Sequence, residues 1–295
     1  MRKIALQIIV YALIAAAVLA GGFFYLNRPQ LVIIDAKIAT DFPRNGFSHD
    51  VFESLLHKYV DDAGNVDYQE WHLEPTDRIQ LDQYLAAVAQ FSPEQTPERF
   101  PKRSNALAYW LYGYNAYVIR SVLEHWPLES VTDVKAPIEA VTGLGFFYRQ
   151  RFLFGEDWLS LYAVVHEKIL KAYRDPRIHF VLNCASDSCP VLRPELPIGE
   201  DLEAMLVSST SDFINDRRNV RIDHENAEIV LSTIFKWYRN DFLNDLRRRG
   251  LSTERGVVEY IADVAASDLR NGLSAAASYE IVFEDYDWSV NDVDN

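Results

Sequence analysis

Apolar residues recur along this chain with three different rhythms, and each points to a different kind of segment. The first is continuous: Ile4 to Leu26 runs IALQIIVYALIAAAVLAGGFFYL, 23 residues without a charge and with only Gln7 polar. At about 1.5 Å rise per residue this is long enough to cross a hydrocarbon core of roughly 30 Å. The second rhythm begins at Phe47, where Phe47, Val51, Leu55 and Tyr59 keep the four-residue spacing of a helix face, with Ser48 as a cap. A turn cluster, Asp61 to Asn65, follows, and a helix through Leu81, Leu85 and Val88 stops before Pro93. The longest helix is predicted between Pro101 and Pro127, capped by Ser104, with Leu107, Leu111, Tyr114, Val118 and Val122 as its inner stripe. Asn115 lies four residues from both Leu111 and Ile119, so this polar amide is expected to face inward.

Gly143, Gly145 and the aromatics after them read as loop and short strand, and Ser160 opens a helix through Val164, Val165, Ile169 and Tyr173. His166 falls at the edge of that helix's apolar face. The third rhythm is the short apolar run of a strand. Ile178 to Asn183 predicts a buried strand after the break at Asp175-Pro176. Val220 to Ile222 and Glu228 to Leu231 flank a turn and predict a hairpin, and Tyr279 to Phe283 predicts a last strand. Helices are expected around Leu202–Ile214, after Ser232, and after Thr253. The pattern predicts the α+β class: a helix-rich single domain around a small, mostly antiparallel sheet, preceded by an N-terminal transmembrane helix. The expected divisions are residues 1–27 as membrane anchor or signal peptide, 28–46 as linker and 47–291 as the domain.

Charge then bears on the side of the membrane. Arg2 and Lys3 precede the apolar span and Arg28 alone follows it, which favours a cytoplasmic N-terminus and an extracytoplasmic domain, periplasmic in a Gram-negative cell. A cleaved signal peptide is the competing reading, with Val18-Leu19-Ala20 as a small-residue cleavage site. The apolar run continues through Phe23 to Leu26, longer than an ordinary signal core, so an uncleaved anchor contacting the bilayer through residues 4–26 is the expectation. Without Arg2, Lys3 and Arg28, the net charge of −14 becomes −17 for the remainder. Such a charge repels phosphate backbones, and no nucleic-acid partner is expected.

Export changes how the two cysteines read. They lie in His179-Phe-Val-Leu-Asn-Cys184-Ala-Ser-Asp-Ser-Cys189-Pro190. Four small, turn-prone residues separate them, compatible with a disulfide in an oxidising compartment. The alternative makes one thiol a nucleophile activated by an imidazole. A bridged Cys184 could not also be a standing nucleophile.

The same segment, Asp175 to Pro190, resembles the signature of the domain of unknown function 547. Three further blocks accompany it, over roughly Phe47 to Asn291: Tyr109 to Ala116, Ser232 to Tyr238 and Asp285 to Trp288, with Leu159-Ser160-Leu161 ahead of His166. The resemblance implies no particular reaction. The family pattern usually carries Asn where this chain has Tyr112, so a site built on that Asn would be altered here.

The matched blocks define the candidate site. Cys184 is the candidate reactive centre, His166 its base and Asn115 the group orienting the imidazole, in the manner of a Cys-His-Asn arrangement. His179 is the alternative base, but on an unbroken strand it would point away from Cys184, and only a turn starting at Asn183 would re-aim the thiol. Such a site would make the protein a cysteine-dependent hydrolase or acyltransferase. Its rival is a non-catalytic envelope binding module stapled by Cys184–Cys189, and a thiol–disulfide exchanger is disfavoured for want of a CxxC motif. No metal-ligand spacing and no nucleotide loop occurs, so neither metal nor cofactor is expected. Asp285, Asp287, Asp292 and Asp294 read as a solvated acidic tail.

Overall fold

The computed structural model describes residues 2–294. The apolar span forms one helix, α1 (Arg2–Leu26), within which Ile9–Leu26 is long and apolar enough to cross a membrane, a property that signal sequences share. The segment expected as a linker is docked from its start. Strand β1 (Gln30–Leu31) pairs in parallel with Gln150 and Arg151, and the Val32 N–H donates to the Arg151 carbonyl at 2.9 Å. Val32 and Ile34 pack against the core, while Leu31 and Ile33 face outward.

Helices α2 (Asp50–Tyr59), α3 (Tyr68–Leu73) and α4 (Pro75–Gln90) surround the long α5 (Arg103–His125). The spacing-derived positions of α2, α4 and α5 hold. The predicted cap of α5 does not: the N-cap is Lys102, two residues before Ser104, and Asn105 Oδ1 reaches back to accept the Lys102 N–H at 3.2 Å. Nearly every face of α5 is buried, and its phenols are satisfied internally: Tyr109 donates to the Val88 carbonyl at 2.8 Å and Tyr117 to the Leu153 carbonyl at 2.7 Å. Strands β2 (Gln150–Phe154) and β3 (Asp157–Leu159) form an antiparallel pair that completes the first sheet, ordered β1-β2-β3. Ser160 Oγ then caps the Ala163 N–H at 3.1 Å, as its position predicts. The chain continues through α6 (Leu161–Ala163), a π-helical stretch Val164–Leu170 that carries His166, and α7 (Lys171–Tyr173).

The strand expected at 178–183 is not formed. Pro176–Phe180 is a short 3-10 helix, opened by Asp175 Oδ1 accepting the Arg177 N–H at 3.0 Å, with Pro176 setting the first turn. Its apolar residues are buried, as a strand's would be, which is why a short apolar run cannot by itself distinguish the two. The second half of the chain contains α8 (Glu200–Asn215), β4 (Val220–Asp223), β5 (Glu228–Leu231), α9 (Thr233–Trp237), α10 (Arg239–Arg248), α11 (Val257–Val264), α12 (Ser267–Ala275) and β6 (Glu280–Phe283). The β4–β5 hairpin matches the pattern, and β6 joins β5 in parallel. The class is α+β, but with two three-stranded sheets, each mixing one parallel and one antiparallel pairing, rather than one mostly antiparallel sheet.

Two apolar cores result, one around α5 and one around α10 and α11. The short 3-10 helix is their seam: Ile178 belongs to the first core and Phe180 to the second. The acidic tail is not simply solvated. It threads back across the first core, with Val66 pairing to Asp292, Ser186 to Val290 and Ser130 to Ser289. Asp292 is buried, and its Oδ1 accepts the Tyr68 N–H at 3.3 Å.

Candidate functional site

The seam opens into a cleft of about 500 Å³. Tyr148 and Tyr162 stack at 4.6 Å between ring centroids, and Tyr162 leads to His166 at 4.0 Å. Tyr238 lies 6.3 Å from His166 and stacks on His179 at 3.8 Å. A second group of rings comes from α9 and the tail: Trp237 on Tyr286 at 4.7 Å and Tyr286 on Trp288 at 4.6 Å. Every one of these rings lines the cleft, together with both cysteines, and among the described residues no Asp, Glu, Lys or Arg does.

Cys184 and Cys189 form a disulfide with Cα atoms 6.2 Å apart. The loop geometry is set by amides. Asn183 Oδ1 accepts the Ala185 N–H at 2.8 Å, making the turn at Asn183 that re-aims Cys184, and Asn183 Nδ2 donates to the Pro190 carbonyl at 2.9 Å. Ala185 takes a left-handed φ of 61°, unusual for a residue with a side chain, and is fully buried. The phenol oxygen of Tyr286 sits 3.2 Å from Cys184 Sγ and 3.1 Å from Cys189 Sγ, and Ser186 Oγ is 3.0 Å from Cys184 Sγ.

The sequence-derived candidates are thus partly gathered. Cys184, His166 and His179 line one cleft. Among the described residues, the polar side-chain contacts of the sulfurs are with Ser186 and Tyr286, not with an imidazole. Asn115 is buried as expected, but both ends of its amide hold backbone: Oδ1 accepts the Asn183 N–H at 3.0 Å and Nδ2 donates to the Val181 carbonyl at 3.2 Å. His179 Nε2 meets Asp241 Oδ2 at 2.9 Å. Burial lowers the pKa of both imidazoles. The neighbouring His179 adds to the effect at His166, and Asp241 opposes it at His179. Both rings are therefore neutral near pH 7. Burial likewise pushes the Tyr238 phenol up to about 12 and raises that of Tyr286. Tyr112 points elsewhere, its hydroxyl donating to the Pro197 carbonyl at 2.5 Å beside the His49 ring.

Sequence reasoning gave no role to Trp237, Tyr238, Asp241, Tyr286 or Ser186. All of these except Asp241 lie in blocks that carry the family resemblance, which was the available signal. Among the described residues, no group of three or more His, Cys, Asp or Glu side chains is placed to hold a metal ion.

Residues 98–214 match the family model described as "Protein of unknown function, DUF547". The chain resembles that family over α5, both histidines, the cysteine loop and α8, whereas Trp237, Tyr286 and Trp288 lie beyond the matched stretch. No curated protein and no solved structure matches the chain.

Proposed function

We propose that this protein is a membrane-tethered, extracytoplasmic binding module whose aromatic cleft takes an uncharged ligand with flat ring faces. The carrying observation is that the only two cysteines are bridged within a cleft that no charged side chain lines. A bridged sulfur offers no thiolate, so catalysis by Cys184 with His166 or His179 would need the bridge opened first. The disulfide also agrees with the export read from α1, because such bridges persist in oxidising compartments.

The lining indicates the ligand's chemistry. A charged ligand entering here would lose water without finding a counter-charge, which is costly. Tyr and Trp rings offer broad apolar faces, while their hydroxyl and indole groups and the two neutral imidazoles bond polar substituents. A neutral saccharide combines both features, with C–H faces to stack and hydroxyls to bond.

The test is titration of the oxidised full-length protein in detergent with a neutral N-acetylhexosamine oligomer, following tryptophan fluorescence. Saturable binding that weakens roughly tenfold on Trp237→Ala is expected. The competing reading, a cysteine-dependent hydrolase or acyltransferase, is favoured by the shared placement of Cys184, His166 and His179. If protein purified without reductant is stoichiometrically labelled at Cys184 by iodoacetamide, the bridge is not the resting state and the competing reading takes over.

A further inference from the structure

The exit of α1 is stitched to the domain at a specific place. Asn27 Nδ2 donates to the Ile138 carbonyl at 2.9 Å, and its Oδ1 accepts the Ile138 N–H at 3.1 Å. Two residues of this pairing flank the end of the apolar helix and the tip of a protruding loop, Ala136 to Gly143. That loop exposes Pro137, Ile138, Ala140 and Val141, with Ile138 at 40% and Val141 at 51% of full exposure. Its one acid is turned back on the loop: Glu139 accepts the Ala136 N–H at 2.7 Å and the Leu144 N–H at 2.8 Å. Leu31, on β1 four residues beyond Asn27, is half exposed.

Cations gather at the same edge of an otherwise acidic chain. Arg149 donates to the Arg28 carbonyl at 3.2 Å and to Gln30 Oε1 at 2.7 Å, Arg151 pairs with Leu31 in the parallel ladder, and the Arg28 guanidinium lies 5.7 Å from the Tyr25 ring centre. Apolar side chains with basic groups beside them suit the boundary between acyl chains and anionic headgroups.

We infer that the loop around Ile138 and Val141 is a second membrane-contact surface, inserted at the headgroup–acyl boundary beside the anchor. The domain therefore rests on an anionic bilayer instead of swinging from it. This rests on the reading of α1 as an uncleaved span. An isolated apolar loop would have no evident partner. Here the loop is hydrogen-bonded to the residue that follows the span, so the bilayer is the surface it meets when α1 is embedded.

The experiment places a spin label at single introduced cysteines in the full-length protein, Ile138→Cys or Val141→Cys, in nanodiscs containing phosphatidylglycerol. The native cysteines, being bridged, do not react. Val18→Cys within the span is the immersed control, and Val207→Cys, on an exposed face of α8, the aqueous one. The inference expects the ratio of oxygen to nickel-chelate accessibility at 138 and 141 to be several-fold above that at 207, approaching the value at 18. Water-like values at 138 and 141 with an immersed 18 overturn it while leaving the anchor standing. A water-like value at 18 removes the anchor and the contact together.

Discussion

Asn115 and Asn183 are joined through the amide oxygen of the first and the backbone N–H of the second, at 3.0 Å. With the Asn115 amide nitrogen on the Val181 carbonyl, one side chain from the long helix holds both sides of the turn that aims Cys184. Asn115→Ala should leave a buried donor and acceptor unmatched, a cost of about 1–3 kcal/mol in denaturant unfolding. Asn115→Asp can still accept from Asn183 but cannot donate to Val181. If neither change alters stability, this side chain does not hold the loop.

The disulfide closes a short loop, so its contribution through the unfolded chain is modest, about 2 kcal/mol. Replacing Cys184 and Cys189 together by Ser should lower Tm by several degrees for a domain of this size, and the wild type should show the same fall in excess reductant. Equal melting of oxidised and reduced protein would contradict a stabilising bridge.

Trp237 is 48% exposed yet meets the Tyr286 ring at a tilt, 4.7 Å between centroids, so it shapes the cleft more than it fills a core. Trp237→Ala should weaken saccharide binding roughly tenfold, on the order of 1.4 kcal/mol, with little change in Tm. A large loss of stability with unchanged affinity would assign Trp237 to packing.

His49 predicts a pH dependence. It is buried with Nδ1 2.8 Å from the Tyr84 hydroxyl, and burial lowers its pKa from 6.5 to about 3. Below 6.5 the unfolded chain takes up a proton that the folded protein refuses. The stabilisation is therefore complete above that pH and falls as pH drops, by about 1.4 kcal/mol per unit, until His49 titrates in the fold. His179, also lowered by burial, acts in the same direction. Urea midpoints measured from pH 7 to pH 4 should decline less steeply in His49→Gln than in the wild type. Parallel slopes would show that His49 is not the responsible group.

Gly145 is a position where no side chain fits. A Cβ there would run into the Val134 carbonyl and lie 2.6 Å from the Lys135 carbonyl carbon. Backbone cannot yield as a flexible side chain does, so Gly145→Ala should cost at least about 2 kcal/mol and disturb Phe147 and Tyr148 in the cleft wall. A variant with wild-type Tm would mean the segment can shift freely.

The helices around α5 were legible because their apolar spacing spans several turns, and the β4–β5 hairpin because a turn cluster separates two short β-rich runs. The 3-10 helix at 176–180 was not, because five residues are too few for a period to declare itself. The bond partners of Asn115 were hidden for a different reason. Its inward placement follows from spacing, but whether it meets an imidazole or backbone depends on a loop nearly seventy residues away in the chain. The tail was half legible: Asp285, Asp287 and Asp294 are exposed, as their charge suggests, whereas Asp292 is buried and the alternating Tyr286, Trp288 and Val290 bring the chain back across the cleft and first core.

That return has a consequence for biosynthesis. Tyr286 and Trp288 emerge after every other wall of the cleft, and the same stretch supplies the backbone partners of Ser186, Ser130 and Val66. A nascent chain that has passed α12 holds its helices and its cysteines but not the last wall of the cleft. A product that ends before Asp285 would keep Cys184 and Cys189 but lack Tyr286, whose phenol oxygen lies against both sulfurs.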